Sequence, residues 1–93
     1  MGVFTAIDEY CARGGDGVEV RLAREHISYT KGQRSANIAF EYLIDDDALL
    51  IYQMAIRRWD PSGEIIASIE RQGILRDLSA ALAAIGVKHR FCA

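Results

Sequence analysis

The sequence lacks most of the features that announce a function at first sight. No apolar run approaches the roughly 20 residues that a membrane helix needs. There is no surplus of basic charge: 11 Lys and Arg stand against 13 Asp and Glu, for a formal net charge of −2. Nucleic-acid binders usually carry a basic footprint, and none is visible overall. Such a balance is compatible with a basic protein partner. Cysteine is scarce, with only Cys11 and Cys92 near opposite ends. A disulfide between them cannot be established from sequence alone. Asp8 and Glu9 follow the start too closely for an export signal. A cytoplasmic, reducing setting with free thiols is therefore expected. The start Met1–Ala6 meets the N-myristoylation pattern only loosely, with Ala6 where Ser or Thr is wanted. There is one proline, one tryptophan, and no internal repeat or low-complexity segment.

What is present is an ordinary globular composition, 51% hydrophobic and 26% charged. Disorder needs low hydrophobicity and high net charge, so it is excluded. At 93 residues the chain makes one domain. A domain of this size buries roughly two thirds of the surface its unfolded chain exposes. It can fold without metal or disulfide.

The stretch Ala48–Ile66 organises the rest. Ala48–Trp59 is rich in β-branched, aromatic and aliphatic residues, which suit a pleated surface. Asp60-Pro61-Ser62-Gly63 carries type I turn preferences, so the chain doubles back at Ile65 and Ile66 as a hairpin. Upstream, Val18, Val20 and Leu22 alternate with Glu19 and Arg21 as a half-buried strand. Arg24-Glu25 makes a turn, and a second strand follows over 26–30 with Ile27 and Tyr29 on one face. A polar loop over 31–35 leads to a third strand over 36–43. There Ile38, Phe40 and Tyr42 share one face, and Asn37, Ala39 and Glu41 the other. Short connections favour antiparallel neighbours, because parallel strands need long crossovers.

Two helices are predicted. Val3, Ile7, Tyr10 and Cys11 recur at helical spacing behind Thr5, a plausible N-cap, and Gly14-Gly15-Asp16-Gly17 ends that segment. The second has Ser68 as N-cap and Glu70 in its first turn. Its stripe is Ile74, Leu78, Ala81, Leu82 and Ile85, widened by Leu75, and Gly86 is the C-cap. The expected fold is thus α+β: a short N-terminal helix and linker over 1–16 and a β-meander over 17–67. One long helix over 68–86 covers one face, and 87–93 is a short strand or tail. The meander counts about four to six antiparallel strands.

Chemistry is hard to find in this layout. His26 and His89 have no Cys or His at ligand spacing, and Asp45-Asp46-Asp47 lacks the central Gly and distal Glu of a calcium loop. No metal or cofactor is expected. The glycine-rich stretch lacks the Walker lysine and follows a segment predicted as helix. No nucleophile elbow or Cys–His context is present. Pairs such as Glu41 with Glu70 or Asp60 are unspecific among so many acids. Trp59, beside Arg57 and Arg58, has two readings: an aromatic and arginine anchor for a partner, or a ring that locks the hairpin.

The order of several short pieces carries a resemblance. Ile27-Ser28-Tyr29 leads to Gly32 and Arg34-Ser35, then Glu41-Tyr42, Leu50-Ile51-Tyr52 and Ile56–Pro61. Ser68, Glu70-Arg71, Ile74, Ala81-Leu82 and Gly86 follow. Together, over 18–90, they resemble the immunity protein 74 family of bacterial polymorphic-toxin systems. Residues 1–16 lie outside the match. The resemblance implies no enzyme activity. It implies stoichiometric binding of a cognate toxin domain, often a nuclease, in the cytoplasm of sibling cells. A nuclease presents a basic cleft, where acidic side chains stand in for phosphates. The candidate contact residues are Glu41, Asp45, Asp46 and Asp47, then Asp8 and Glu9, with Arg57, Arg58 and Trp59 as an alternative patch. The oligomeric state is left open, a monomer being favoured, and no direct contact to nucleic acid or membrane is expected. The competing reading is a small interaction or homodimerising module; an enzyme or a nucleic-acid binder ranks below both.

Overall fold

Alternation of apolar and polar residues builds most of this molecule. The computed structural model describes residues 3–15 and 17–92. The expectations that fall on Met1, Gly2, Asp16 and Ala93 (the acylation-like start, one residue of the glycine stretch, the end of the tail) lie outside the described residues. The strands are β1 (Phe4–Asp8), β2 (Cys11–Gly14), β3 (Val18–Leu22), β4 (His26–Lys31), β5 (Arg34–Leu43), β6 (Ala48–Tyr52) and β7 (His89–Cys92). One helix, α1 (Ser68–Ala84), lies between β6 and β7. The strands form one seven-stranded sheet in the order β1 to β7.

Two features overturn the expected architecture. There is no N-terminal helix among the described residues: Phe4–Asp8 and Cys11–Gly14 form an antiparallel hairpin. A register shift between Ala6 and Asp8 breaks the two-residue alternation there, which left only the helical spacing visible. Pairing of Ala12 with Val20 then overrides local propensity. The sheet is also mixed rather than antiparallel, because β7 runs parallel to β6, with Leu49 opposite His89 and Ile51 opposite Phe91. The chain between them contains α1, the long crossover that a parallel pair requires.

β5 bends the sheet by changing partners. Arg34–Ala39 pairs with β4, whereas Phe40–Leu43 pairs with β6. The chain leaves β6 at Tyr52 through a 3-10 turn at Gln53–Ala55, so the strand expected to run to Trp59 stops early. It returns beside the first half of β5, where Ser35 and Asp60 exchange backbone hydrogen bonds at 3.0 and 2.7 Å. The doubling-back then survives as one bridge, Arg58 opposite Ile65. Gly63 N–H donates to the Trp59 carbonyl at 2.7 Å, and the Asp60–Pro61 peptide is cis.

One face of the curled sheet forms the core. Ala12, Val20, Tyr29 and Ala36 make one cross-strand row; Ile27 and Ile38, then Phe40, Ile51 and Phe91, make the next. The helix buries Ile74, Leu78, Ala81 and Leu82 against this face and packs onto β1 and β2. Its N-cap is Ala67, not Ser68, and Glu70 Oε1 accepts the Ala67 N–H at 3.0 Å. The far end is a Schellman motif: Val87 N–H donates to Leu82 O, Gly86 N–H to Ala83 O, and Gly86 takes φ 75°.

Trp59, only 2% exposed, sits where sheet, turn and helix meet. The Arg34 guanidinium lies 4.4 Å over its ring, and Tyr29 packs at 6.2 Å. Arg34 also pairs with Glu70 at 3.1 Å, while Tyr29 donates to Asp77 at 2.6 Å. The Ala67 N–H first, and then Arg34, hold the Glu70 carboxyl below its ordinary value. The Trp59 indole N–H makes no well-formed hydrogen bond but adds weakly in the same direction.

Trp59→Ala is expected to cost about 3–5 kcal/mol in urea unfolding, as large aromatic truncations in cores do. A loss below about 1 kcal/mol would show that the ring is not a keystone. Glu70 has its carboxyl depressed in the folded state, so its stabilisation is present above the unfolded-state value. It is lost as pH falls through the lower folded-state value. Glu70→Gln is therefore expected to flatten the acid limb of the stability curve, and an unchanged limb would contradict this account.

Candidate functional site

In a meander, alternate turns share one end of the sheet. The β1–β2, β3–β4 and β5–β6 turns therefore lie together, and the parallel pairing of β7 brings Gly86–Lys88 to the same end. Between them opens a groove of about 680 Å³. Leu22, Phe40 and Leu49 are among its apolar lining residues, and Tyr10, Arg24, Tyr42, Asp47 and Lys88 supply its polar groups. Tyr42 continues the core-facing row of β5, but it remains 55% exposed. Tyr10 is 57% exposed, and Ile44, in the adjoining turn, 81%.

The groove exists because β5 outruns β4. Past Ala39 no residue of β4 pairs with β5. Among the described residues no other backbone hydrogen bond is made to Phe40–Leu43 from the β3–β4 turn. A strand edge therefore lies open beside the groove, and such edges accept an added strand.

The acidic candidates gather at this end. Asp45, Asp46 and Asp47 form the β5–β6 turn, with Asp47 at φ 51°, a conformation that Asp tolerates. Asp8 and Glu9 belong to the β1–β2 turn rather than to a helix, and Asp8 Oδ1 accepts the Tyr10 N–H at 2.8 Å. Glu41 lies on the opposite face of β5 from Tyr42, in a row with Leu50 and Arg90. Several of these carboxylates are already tied. Asp46 pairs with Arg90 at 2.5 Å, and its carbonyl accepts from Lys88 at 3.1 Å. Tyr42 donates to Asp47, and Tyr52 donates to Glu41. Asp45 alone of the three turn aspartates has no such side-chain tie among the described residues.

Arg57, Arg58 and Trp59 lie at the other end of β5, near the Ser35–Asp60 bridge. The structure does not bring them together with the acids, and it buries the tryptophan ring in the core. Tyr10 and Ile44 were missed as surface features; Ile44, beside the three aspartates of a charged loop, was legible as such in the sequence, whereas Tyr10 lies in the turn of a hairpin that helical spacing concealed.

His89 sits between the Val87 carbonyl at Nδ1, 3.1 Å, and Ser79 Oγ at Nε2, 3.0 Å. A carbonyl only accepts, so Nδ1 carries a proton, and Nε2 meets the Ser79 hydroxyl. This has the outline of a nucleophile and its base, but Ser79 and His89 line neither the groove nor the smaller depression beside Arg57 and Arg71. His26 lies on the outward face, opposite Ala39. Among the described residues no group of three or more His, Cys, Asp or Glu could hold a metal ion. Cys11 and Cys92 are unpaired. Burial first, and then the Glu19 carboxylate, push the Cys11 thiol up. Among the described residues no helix is long and apolar enough to cross a membrane.

Compared with known proteins, the chain matches no protein-family model, no curated protein and no solved structure.

The two tyrosine–carboxylate bonds have a measurable signature. The hydrogen bond to Asp47 raises the Tyr42 phenol above its ordinary value, and the bond to Glu41 does the same for Tyr52, with burial adding to both. In a phenolate absorbance titration, both are expected to ionise after an unperturbed tyrosine. Asp47→Asn should return Tyr42 toward the ordinary range, and an unshifted titration would contradict the pairing.

Proposed function

We propose that this chain is a cytoplasmic immunity protein that binds and neutralises a cognate toxin domain of nuclease type, stoichiometrically and without catalysis. One observation carries the reading: an apolar groove with exposed aromatic residues shares one end of the sheet with Asp8, Glu9, Glu25 and Asp45–Asp47. Tyrosine anchors in a groove are what protein interfaces use for affinity. The carboxylates around them complement a basic, phosphate-binding cleft, which they steer and discriminate. The family resemblance of the 18–90 segment supports the same role. The partner is therefore a basic protein surface, seated with an extended segment along the open edge of Phe40–Leu43. Tyr10, Tyr42 and Ile44 supply the apolar contact, with Asp45 the most available charge.

A second reading rests on β1. This edge strand exposes Thr5, Ala6 and Ile7, next to exposed Val3, and carries no charge before Asp8. Such an edge can pair with its own copy, making a homodimer.

The test is co-expression with a toxin domain encoded next to this chain, followed by co-purification and calorimetry. A one-to-one complex is expected. Tyr42→Ala should weaken it by about tenfold or more, in the manner of an interface hot spot. The triple reversal Asp45→Lys, Asp46→Lys, Asp47→Lys should slow association and weaken its dependence on salt. Unchanged affinity in both variants would remove this end of the sheet as the toxin-binding surface. A dimer that forms without the toxin and is insensitive to salt would favour the β1 reading.

A further inference from the structure

The opposite end of β5 carries three arginines around one shallow depression of about 310 Å³. They are Arg57 and Arg58, before the Asp60–Gly63 turn, and Arg71, in the first turns of α1; Met54 and Ile65 complete the lining. Each arginine is held by one backbone carbonyl. Arg57 Nε donates to Met54 O at 2.9 Å, Arg58 Nη1 to Gly63 O at 2.9 Å, and Arg71 Nε to Ile56 O at 3.1 Å. A guanidinium has five N–H donors, so each keeps four for another partner.

Among the described residues no carboxylate takes up that capacity. Arg57, Arg58 and Arg71 form no ion pair among the described residues, although Asp60 and Glu64 lie in the same turn. Of the other arginines, Arg13, Arg21, Arg34 and Arg90 have carboxylate partners, and Arg24 and Arg76 have none among the described residues. Three like charges around one concavity repel one another, and carbonyl contacts offset only part of that. The carbonyls also fix the side chains in advance, which lowers the ordering cost of binding. Planar forks held in this way suit a tetrahedral oxyanion better than a lysine cluster would.

We infer that this depression binds a small organic phosphate. The phosphoryl group is held by Arg57, Arg58 and Arg71. The apolar or planar remainder lies against Met54 and Ile65, which are 53% and 71% exposed. The volume sits at the lower limit of small-ligand sites, about 300 Å³, which is the scale of a mononucleotide. The site is separate from the groove proposed for the toxin and does not depend on that reading.

The experiment is calorimetry and backbone amide NMR on the intact chain with adenosine monophosphate, inorganic phosphate and adenosine. The nucleotide is expected to bind, phosphate to bind more weakly, and adenosine not to bind. Amide shifts should fall on residues 54–71. Arg57→Gln, Arg58→Gln and Arg71→Gln should each weaken the nucleotide by about tenfold or more, the usual loss for a charge-assisted contact. Arg13→Gln, on β2 and outside both concavities, should change nothing. Arg71 also holds the Ile56 carbonyl, so circular dichroism must show a native fold in that variant. Arg58, anchored in an exposed turn, gives the independent reading. Failure of phosphate and nucleotide to bind at millimolar concentration would overturn the inference, as would equal binding of adenosine. Affinity unchanged in all three variants would do the same. Phosphate binding as tight as the nucleotide would overturn the role given to Met54 and Ile65.

Discussion

Most of this structure follows from one strand having two partners. β5 is ten residues long. Its first part belongs to β4, and its second to β6. A strand cannot serve two neighbours offset along its length without leaving both flanks half covered. On the β6 side the uncovered half is closed by the chain's own return, through Ser35 and Asp60. On the β4 side it stays open, and the groove lies there. The same offset curls the sheet, so that a helix following β6 reaches across to β1 and β2. Fold and candidate site thus share one geometric cause.

The curl has to be held, and apolar burial alone does not specify where the helix sits along the sheet. Two polar links supply that register. Tyr29 on β4 reaches Asp77 in mid-helix, and Arg34 at the start of β5 reaches Glu70 at its first turn. Arg34 also covers Trp59, so the guanidinium meets the turn, the helix and the sheet at once. Exposed ion pairs contribute little to stability by themselves. Here the pair is part of a stacked cluster whose ring is almost wholly buried, and its role is positional. A lysine in its place would keep the charge and lose the planar stack.

What could be read from the sequence was local. The faces of β3, β4 and β5 were legible because Val18/Val20, Ile27/Tyr29 and Ile38/Phe40 alternate strictly, and the sheet uses those faces. The stripe Ile74, Leu78, Ala81 and Leu82, and the stop at Gly86, were legible for the same reason. The N-terminal hairpin was not. Its strands are short, one is bulged, and Cys11 is buried although it faces away from the core row. Spacing alone then imitates a helix. The parallel placement of β7 was illegible in principle, because period-two patterning says which face is buried and nothing about a partner's direction. Ala48–Trp59 read as one strand because its composition is uniform. The chain turns out at Gln53 so that Trp59 can enter the core from the far side. For the candidate site, the acids were visible as residues, but their convergence with Tyr10 required the hairpin that the sequence hid.

The separation of the two ends has an electrostatic consequence. A ten-residue strand spans roughly 30 Å at about 3.3 Å per residue. The screening length at physiological salt is about 8 Å. The aspartates at one end of β5 and the arginines at the other therefore act on ligands almost independently, despite a net charge of only −2. A near-neutral total conceals two local fields of opposite sign. Net charge tests whether a whole surface suits a polyanion. It has no power over a concavity lined by three residues. A basic partner approaching the groove meets carboxylates within one screening length, while the arginines lie several lengths away. The chain can in this way present unlike chemistries to two ligands without either weakening the other.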